Sequence, residues 1–324
     1  MSPTAAIMSN PVSRRELLRA LGIGAASLAV PSSAFATLSG ETMRTLLHRS
    51  DDDTDRTRLR DWTAMLRSQT RLQGPMTTGT RAIRIGELAV GTPYEAFTLE
   101  TYLKAGGSPL STEPIALSLT RFDCVTLVES CIAIARIAAT DVAPTWPRFS
   151  REVERMRYRG GRRLGYSSRL HYFSEWIRDG HERGLVRDLG EELGGVVDPR
   201  PLRFMTEHRA SYPALANDTV FRQIGAMERR LDSHRRRMVP ADQIERVQDR
   251  IDSGDVLAFA TSISGLDVSH SAFAYRDSNG TLRVLHAPLS GGSVEITRST
   301  LPEYVSKIRR ATGILVARPL AGRA

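Results

Sequence analysis

A chain of 324 residues, 41% of them apolar, is long enough to bury a sizeable core, either as one elaborated domain or as a domain with insertions. Lys and Arg outnumber Asp and Glu by 45 to 36, and the excess is almost all arginine. Basic charge of this kind suits a polyanion, but the N-terminus reads as an export signal; that excludes nucleic acid as a partner and leaves an anionic wall polymer or a membrane surface.

Residues 1–36 carry that signal. Ser13-Arg14-Arg15-Glu16-Leu17-Leu18 is a twin-arginine pattern. The apolar stretch Ala20–Val30 is about eleven residues long, too short to span a bilayer. Ser33-Ala34-Phe35-Ala36 fits a small-residue cleavage site. The expectation is a periplasmic or secreted protein, exported folded and cut after Ala36. No transmembrane segment and no internal repeat follow. Twin-arginine export also serves cofactor-loaded proteins, so the leader does not by itself dismiss a metal. The mature chain 37–324 is expected to be a single domain with a helical insertion at about 140–250.

Residues 37–90 read as mostly helical and polar. Between Arg58 and Arg71, Leu59, Trp62 and Leu66 recur at amphipathic spacing. Gly91-Thr92-Pro93-Tyr94 is a turn by composition. The next informative stretch is Leu119–Glu129, in which the polar turn Arg121-Phe122-Asp123 leads into Cys124 and an apolar run to Ala138. The pattern predicts a buried helix starting at Cys124 with Asp123 as its N-cap. A thiol in the first turn meets the positive end of the helix dipole, which favours the nucleophilic thiolate. Cys131, mid-helix, reads as core. The two sulfurs cannot pair, because seven residues of helix separate the Cα atoms by about 10.5 Å. An unpaired thiol in an oxidising compartment points to reactivity.

From about 140 to 250 the chain is arginine-rich and reads as mainly helical. Helices are predicted over Ser150–Tyr158, Ser168–Ile177 with a stop at Gly180, Asp218–Arg230 and Ala241–Ile251. The run Arg229-Arg230 to Arg235-Arg236-Arg237 reads as a solvated face. From Gly254 the period changes to strands: Asp255–Ala260, Val268–Tyr275, Thr281–His286, Val294–Thr297 and Ile314–Ala317, with a helix over Leu301–Ile308. Asp277-Ser278-Asn279-Gly280 is a hairpin turn, so the sheet is antiparallel and the class is α+β.

That hairpin puts His270 and His286 at matching ends of neighbouring strands. If the Cys124 helix packs across the same sheet end, a nucleophile, a base and an orienting group meet. His270 would take the thiol proton and return it to the leaving amine, His286 would fix the ring of His270, and the Cys124 N–H would hold the oxyanion. The same three side chains could instead be read as metal ligands. The chain has neither His-Glu-x-x-His nor Cys-x-x-Cys to support that reading.

Gly91-Thr92-Pro93-Tyr94, Phe122-Asp123-Cys124, Gly254-Asp255-Val256 and Val268-Ser269-His270-Ser271-Ala272-Phe273, in this order, resemble the NlpC-like peptidoglycan cysteine hydrolases. More narrowly, Arg121–Glu129, Ser168-Arg169-Leu170-His171-Tyr172 and Leu285-His286-Ala287 resemble the N-acetylmuramoyl-L-alanine amidase-like family, over roughly residues 80–320. The resemblance implies a papain-like core: a Cys-bearing helix packed on an antiparallel sheet, with extra helices. It implies Cys124 as nucleophile, His270 as base and His286 as orienting residue. Tyr94, Asp123 and Ser269 would lie near the oxyanion or substrate, and Arg169, His171 and Tyr172 would line the groove. No metal or cofactor is implied. Val125-Thr126 stands where the wider superfamily has Ser-Gly, in agreement with the narrower family. The implied substrate is peptidoglycan or a muropeptide, cut between N-acetylmuramic acid and L-alanine. Rival readings are a stem-peptide endopeptidase acting at the bond to D-glutamate, a metal-dependent hydrolase, and a non-catalytic wall-binding module.

Overall fold

The apolar run after Cys124 forms helix α3, Cys124–Ala138, and every residue from Thr126 to Ala138 is buried. A helix buried all round needs partners on all sides. In the computed structural model, which describes residues 40–289 and 292–322 with side chains from residue 52 onward, those partners are α1 (Gly40–Gln73), α2 (Thr78–Ala89), α4 (Trp146–Arg157) and one face of a sheet. The export signal read at residues 1–36 lies outside the described residues. On α1, Leu59, Trp62 and Leu66 are buried, as the amphipathic spacing predicts.

The sheet is antiparallel throughout. Its strands are β1 (Val186–Asp188), β2 (Val196–Asp198), β3 (Arg236–Pro240), β4 (Val256–Thr261), β5 (Val268–Arg276), β6 (Leu282–His286), β7 (Glu295–Ile296) and β8 (Ala311–Pro319). They pair in the order β2-β3-β8-β4-β5-β6-β7, with β1 also on β8. Both faces are covered, so β4 reads as continuous apolar sequence and its alternate residues serve two cores. Val256, Ala258 and Ala260 pack toward α3 with Phe273 and Leu285. Leu257 and Phe259 pack with Ala272, Val284 and Leu301, the last on helix α7 (Leu301–Lys307). A third cluster joins Tyr172, Leu202 and Phe204 to helix α6 (Asp218–Asp232) through Val220, Ile224 and Met227.

The mixed α+β class stands, with local corrections. The helix expected from Ser168 begins only at Phe173 (α5, Phe173–Glu182). Arg169 is instead extended, bridging Tyr158, and Leu170 N–H donates to Arg157 O at 2.9 Å. Gly180 does not stop α5 but lies inside it, where a Cβ would come within 3.0 Å of Val186 Cγ2. Ala241–Ile251 is a chain of short turns, with a single α-turn at Ile244–Val247. Within 140–250 three strands also add to the sheet edge. Two of them are three residues long, and the third lies in the arginine run. Arg236 there pairs with Asp198 at 3.1 Å and Arg237 Nη1 donates to Gly195 O at 2.9 Å, so neither belongs to a purely solvated face.

The helical layer and the sheet meet where Gly79 of α2 touches Gly254, in the turn that precedes β4. Gly254 has φ +94°, and a Cβ there would sit 2.1 Å from Gly79 O. Gly280 in the hairpin turn has φ +81° with open space around it. Gly280→Ala is therefore expected to cost about 1 kcal/mol from its left-handed backbone alone, and Gly254→Ala about 3 kcal/mol or more, because backbone must also move. Chemical denaturation of the two variants measures the difference.

Candidate active site

Cys124 is the first residue of α3, and its position is fixed by a capping box. Asp123 Oδ1 accepts from the N–H groups of Val125 (3.0 Å) and Thr126 (2.7 Å), while Thr126 Oγ1 accepts from Asp123 N–H at 2.9 Å. Thr98 donates to Asp123 Oδ2 at 3.3 Å. The carboxylate expected near the substrate is thus occupied in starting the helix. The Pro93-Tyr94 turn runs beside this start: Phe122 N–H donates to Pro93 O at 3.0 Å and Glu95 N–H to Phe122 O at 2.9 Å. Tyr94 is thereby held half-buried, and burial first, then its nearness to Cys124 and Asp123, push its phenol pKa upward.

Strand β5 supplies the imidazole. Its ladder with β4 runs Phe259↔His270 and then Ala260↔Val268, so Ser269 is an extra residue in a β-bulge. Bulges re-aim side chains along a strand, and directly after this one the His270 ring stacks on Phe259 at 5.7 Å between centroids. His270 Nε2 and His286 Nδ1 are 2.9 Å apart. His270 Nδ1 is buried with no hydrogen-bond partner. Glu295 lies opposite His286 in the β6–β7 register, with Oε1 3.4 Å from His286 Nε2, and the Tyr304 hydroxyl is 3.3 Å from His286 Nδ1.

Cys124, His270, Ser269 and His171 line one cavity of about 150 Å³. Apolar groups of Leu170, Phe173 and Trp176 complete its wall. Burial dominates the titration of every ionisable group in it. The Cys124 thiol is pushed up to about 11 by desolvation and by the Asp123 charge, against favourable hydrogen bonding from Ser271 and its own amide. His270 is driven well below its usual 6.5 by burial and then by His286, and His286 falls to about 4 by burial. The thiolate expected from the helix dipole is therefore not the resting form, because a first-turn dipole contributes only about 1 kcal/mol. Desolvation of a buried charge exceeds that.

The remaining residues assigned to the groove divide. His171 faces the cavity, but its Nε2 is 2.9 Å from Tyr166 O, and burial, followed by the Arg169 charge, lowers its pKa to about 3, so it stays neutral. Arg169 is 5% exposed and its guanidinium is taken up by Glu113 (2.7 and 3.0 Å), Glu100 (2.7 Å) and Leu99 O. Tyr172 is buried with its hydroxyl donating to Glu228 Oε1 at 2.7 Å. Both are framework rather than cavity wall, since charge and phenol each need buried partners. Not foreseen were Tyr304, Glu295, Trp176 and Ser271. The alternation of β5 could have placed Ser271 one position beyond His270. Glu295 sits on a two-residue strand whose register carries no sequence signal. Among the described residues, no group of three or more His, Cys, Asp or Glu is arranged to hold a metal, and no helix is long and apolar enough to cross a membrane.

Known proteins share this architecture. An N-acetylmuramoyl-L-alanine amidase from Bacteroides uniformis superposes with a TM-score of 0.66 at 26% identity, covering 75% of this chain and 99% of its own. A Bacteroides fragilis protein provisionally named a xylanase gives 0.65 at 32% identity, over 72% of this chain and 99% of its own. A Legionella pneumophila protein gives 0.60 at 18% identity, over 84% and 96%, and shows the fold alone. No curated protein matches by sequence. The profile of the amidase-like family matches residues 84–314, a span holding Tyr94, His286 and every residue that lines the cavity of Cys124 and His270. On that match the chain belongs to the N-acetylmuramoyl-L-alanine amidase-like family.

Proposed function

We propose that the protein is a cysteine hydrolase of peptidoglycan or muropeptides, NlpC-like in its papain-like arrangement. It acts outside the cytoplasm, on the amide between N-acetylmuramic acid and L-alanine. One observation carries this reading. Cys124 and His270 open on the same cavity, and His270 has its Nε2 held by His286 while its Nδ1 has no partner. A base prepared in this way lacks only the proton it is to receive.

The chemistry follows from the tautomers. A carboxylate beside His286 Nε2 favours the proton on that nitrogen, leaving Nδ1 as an acceptor. His270 then donates Nε2–H to it, and the lone pair of His270 Nδ1 is free for the thiol. As Cys124 Sγ attacks the lactoyl carbonyl, its proton passes to His270 Nδ1. The first-turn amide of Cys124, with Tyr94 beside it, receives the developing oxyanion. Collapse of the adduct breaks the C–N bond, and the imidazolium gives its proton to the departing alanine amine. Water, deprotonated by the same imidazole, then hydrolyses the thioester. Because burial disfavours both charged forms at rest, sulfur and imidazole begin neutral and the proton moves during the attack.

Mass spectrometry of defined muropeptide digests tests the assignment. The wild type is expected to release free sugar and intact peptide. Cys124→Ala and His270→Ala are expected to lose at least about 1000-fold in rate. His286→Ala, which misorients rather than removes the base, is expected to retain more, falling about 10- to 100-fold. A shortened peptide would instead assign the bond to D-glutamate. Full retention of every activity by Cys124→Ala would sink the hydrolase reading.

The protonation state has its own test. A thiol with its pKa raised to about 11 is alkylated by iodoacetamide at a rate that climbs through pH 9 and 10 without levelling off. A plateau between about pH 5 and 8 that His270→Ala abolishes would show a preformed ion pair instead. Cys131, fully buried, is expected to remain unlabelled in the folded protein.

A further inference from the structure

At the far end of α3, about 18 Å along the helix from Cys124 at 1.5 Å per residue, lies a cavity of about 340 Å³ with no part in the chemistry above. Arg136 enters it from the last turn of α3. Arg148, Arg151, Glu152 and Arg155 enter from α4, and Gly322 closes one side. The α4 residues follow the spacing i, i+3, i+4, i+7, which places them on one helix face. Three like charges at such spacing repel one another, and Glu152 offsets only one.

A structural role for Arg136 explains part of its surroundings. Its Nε donates to Leu320 O at 3.1 Å and its Nη2 to Leu185 O at 2.6 Å, tying α3 to the chain just beyond β8 and just before β1. Its Nη1 is not explained in this way. The residue is 6% exposed, yet Nη1 has no hydrogen-bond partner and stands 3.9 Å from Glu152 Oε2. Arg148 Nη1, on the facing helix, is likewise buried and unbonded. Burial first, and then repulsion from Arg155 and Arg183, lowers the Arg136 pKa to about 10, with Glu152 opposing. Two guanidinium corners from two helices thus converge on one space with an excess of positive charge.

We propose that this cavity is a binding site for a phosphate ester, taken between Arg136 and Arg148 with Arg151 completing its charge. Guanidinium groups present planar forks of N–H donors that match phosphate oxygens, and a doubly charged oxyanion meets several at once. The volume leaves room for a group of sugar size attached to the phosphate. The site does not rest on the catalytic reading, and its occupancy leaves the Cys124 cavity unaltered.

Titration calorimetry on the full chain at fixed ionic strength tests this with inorganic phosphate, glucose 1-phosphate and vesicles of phosphatidylglycerol. The same titrations are run on Arg148→Gln/Arg151→Gln. Both substitutions keep good helix formers on a partly exposed face, and thermal midpoints without ligand confirm that the variant is folded. The expected result is saturable binding of glucose 1-phosphate by the wild type and at least about tenfold weaker binding by the variant, the loss of one charge-assisted contact or more. Vesicle binding that the variant loses, with no response to the sugar phosphate, would assign the same phosphate site to a lipid headgroup. Equal binding of all three probes by wild type and variant would overturn the proposal.

Discussion

The site depends on one buried hydrogen bond, between His270 Nε2 and His286 Nδ1. Two imidazoles packed away from water are unfavourable partners unless each ring nitrogen has a defined state. Here the sheet supplies that definition. Strand β6 fixes His286, its antiparallel neighbour β7 puts a carboxylate against the outer nitrogen, and the bulge in β5 precedes His270, whose ring lies on Phe259 with Nε2 on His286 and Nδ1 without a partner. Each strand contributes one constraint, and the constraints meet only at this end of the sheet. The helix contributes the remaining one, because its capped first turn holds the sulfur without a loop that could swing away.

The helix that begins at Cys124 and the hairpin that carries His270 and His286 were legible in sequence because each has a local signature. A cap before an apolar run marks α3, and a turn between two apolar runs marks the hairpin. Arg169 and Tyr172 were less accessible to such reading. Their motif sits beside the cavity in sequence, but their partners Glu113 and Glu228 lie 56 residues away in opposite directions, and only the folded chain decides which way such side chains point. The three short strands between 186 and 240 escaped for a related reason. Three residues cannot display a period, and basic residues on β3 look solvated until Asp198 is placed beside them.

The arginine excess takes on a different meaning in the structure. Much of it is internal. Arg157 meets Glu129 at 2.7 Å with both side chains buried, joining α4 to α3; Arg159 meets Glu175 at 2.7 Å, joining the end of α4 to α5; and Arg169 meets Glu113. Such pairs add little net stability over an apolar contact, but losing one partner strands a charge at a cost of about 3–5 kcal/mol. They therefore fix how the helices stack on one another more than how firmly the whole resists unfolding. The cluster at the end of α3 differs from them in kind, since its cations outnumber the carboxylate that faces them.

The extra residue at Ser269 also gives β5 a parity. Beyond it lies Asp267, whose carboxylate accepts the Ser174 N–H at 2.8 Å in the first turn of α5, the helix that brings Phe173 and Trp176 to the cavity wall. Side chains alternate along a strand, so removing a single residue at this point would exchange inside for outside for everything upstream of it while leaving the hydrophobic pattern downstream intact. Insertions and deletions among descendants of this chain should consequently collect in the loops past Gly265 and Asn279 and spare these few positions, where the length of the polypeptide itself sets which side chains reach the cavity.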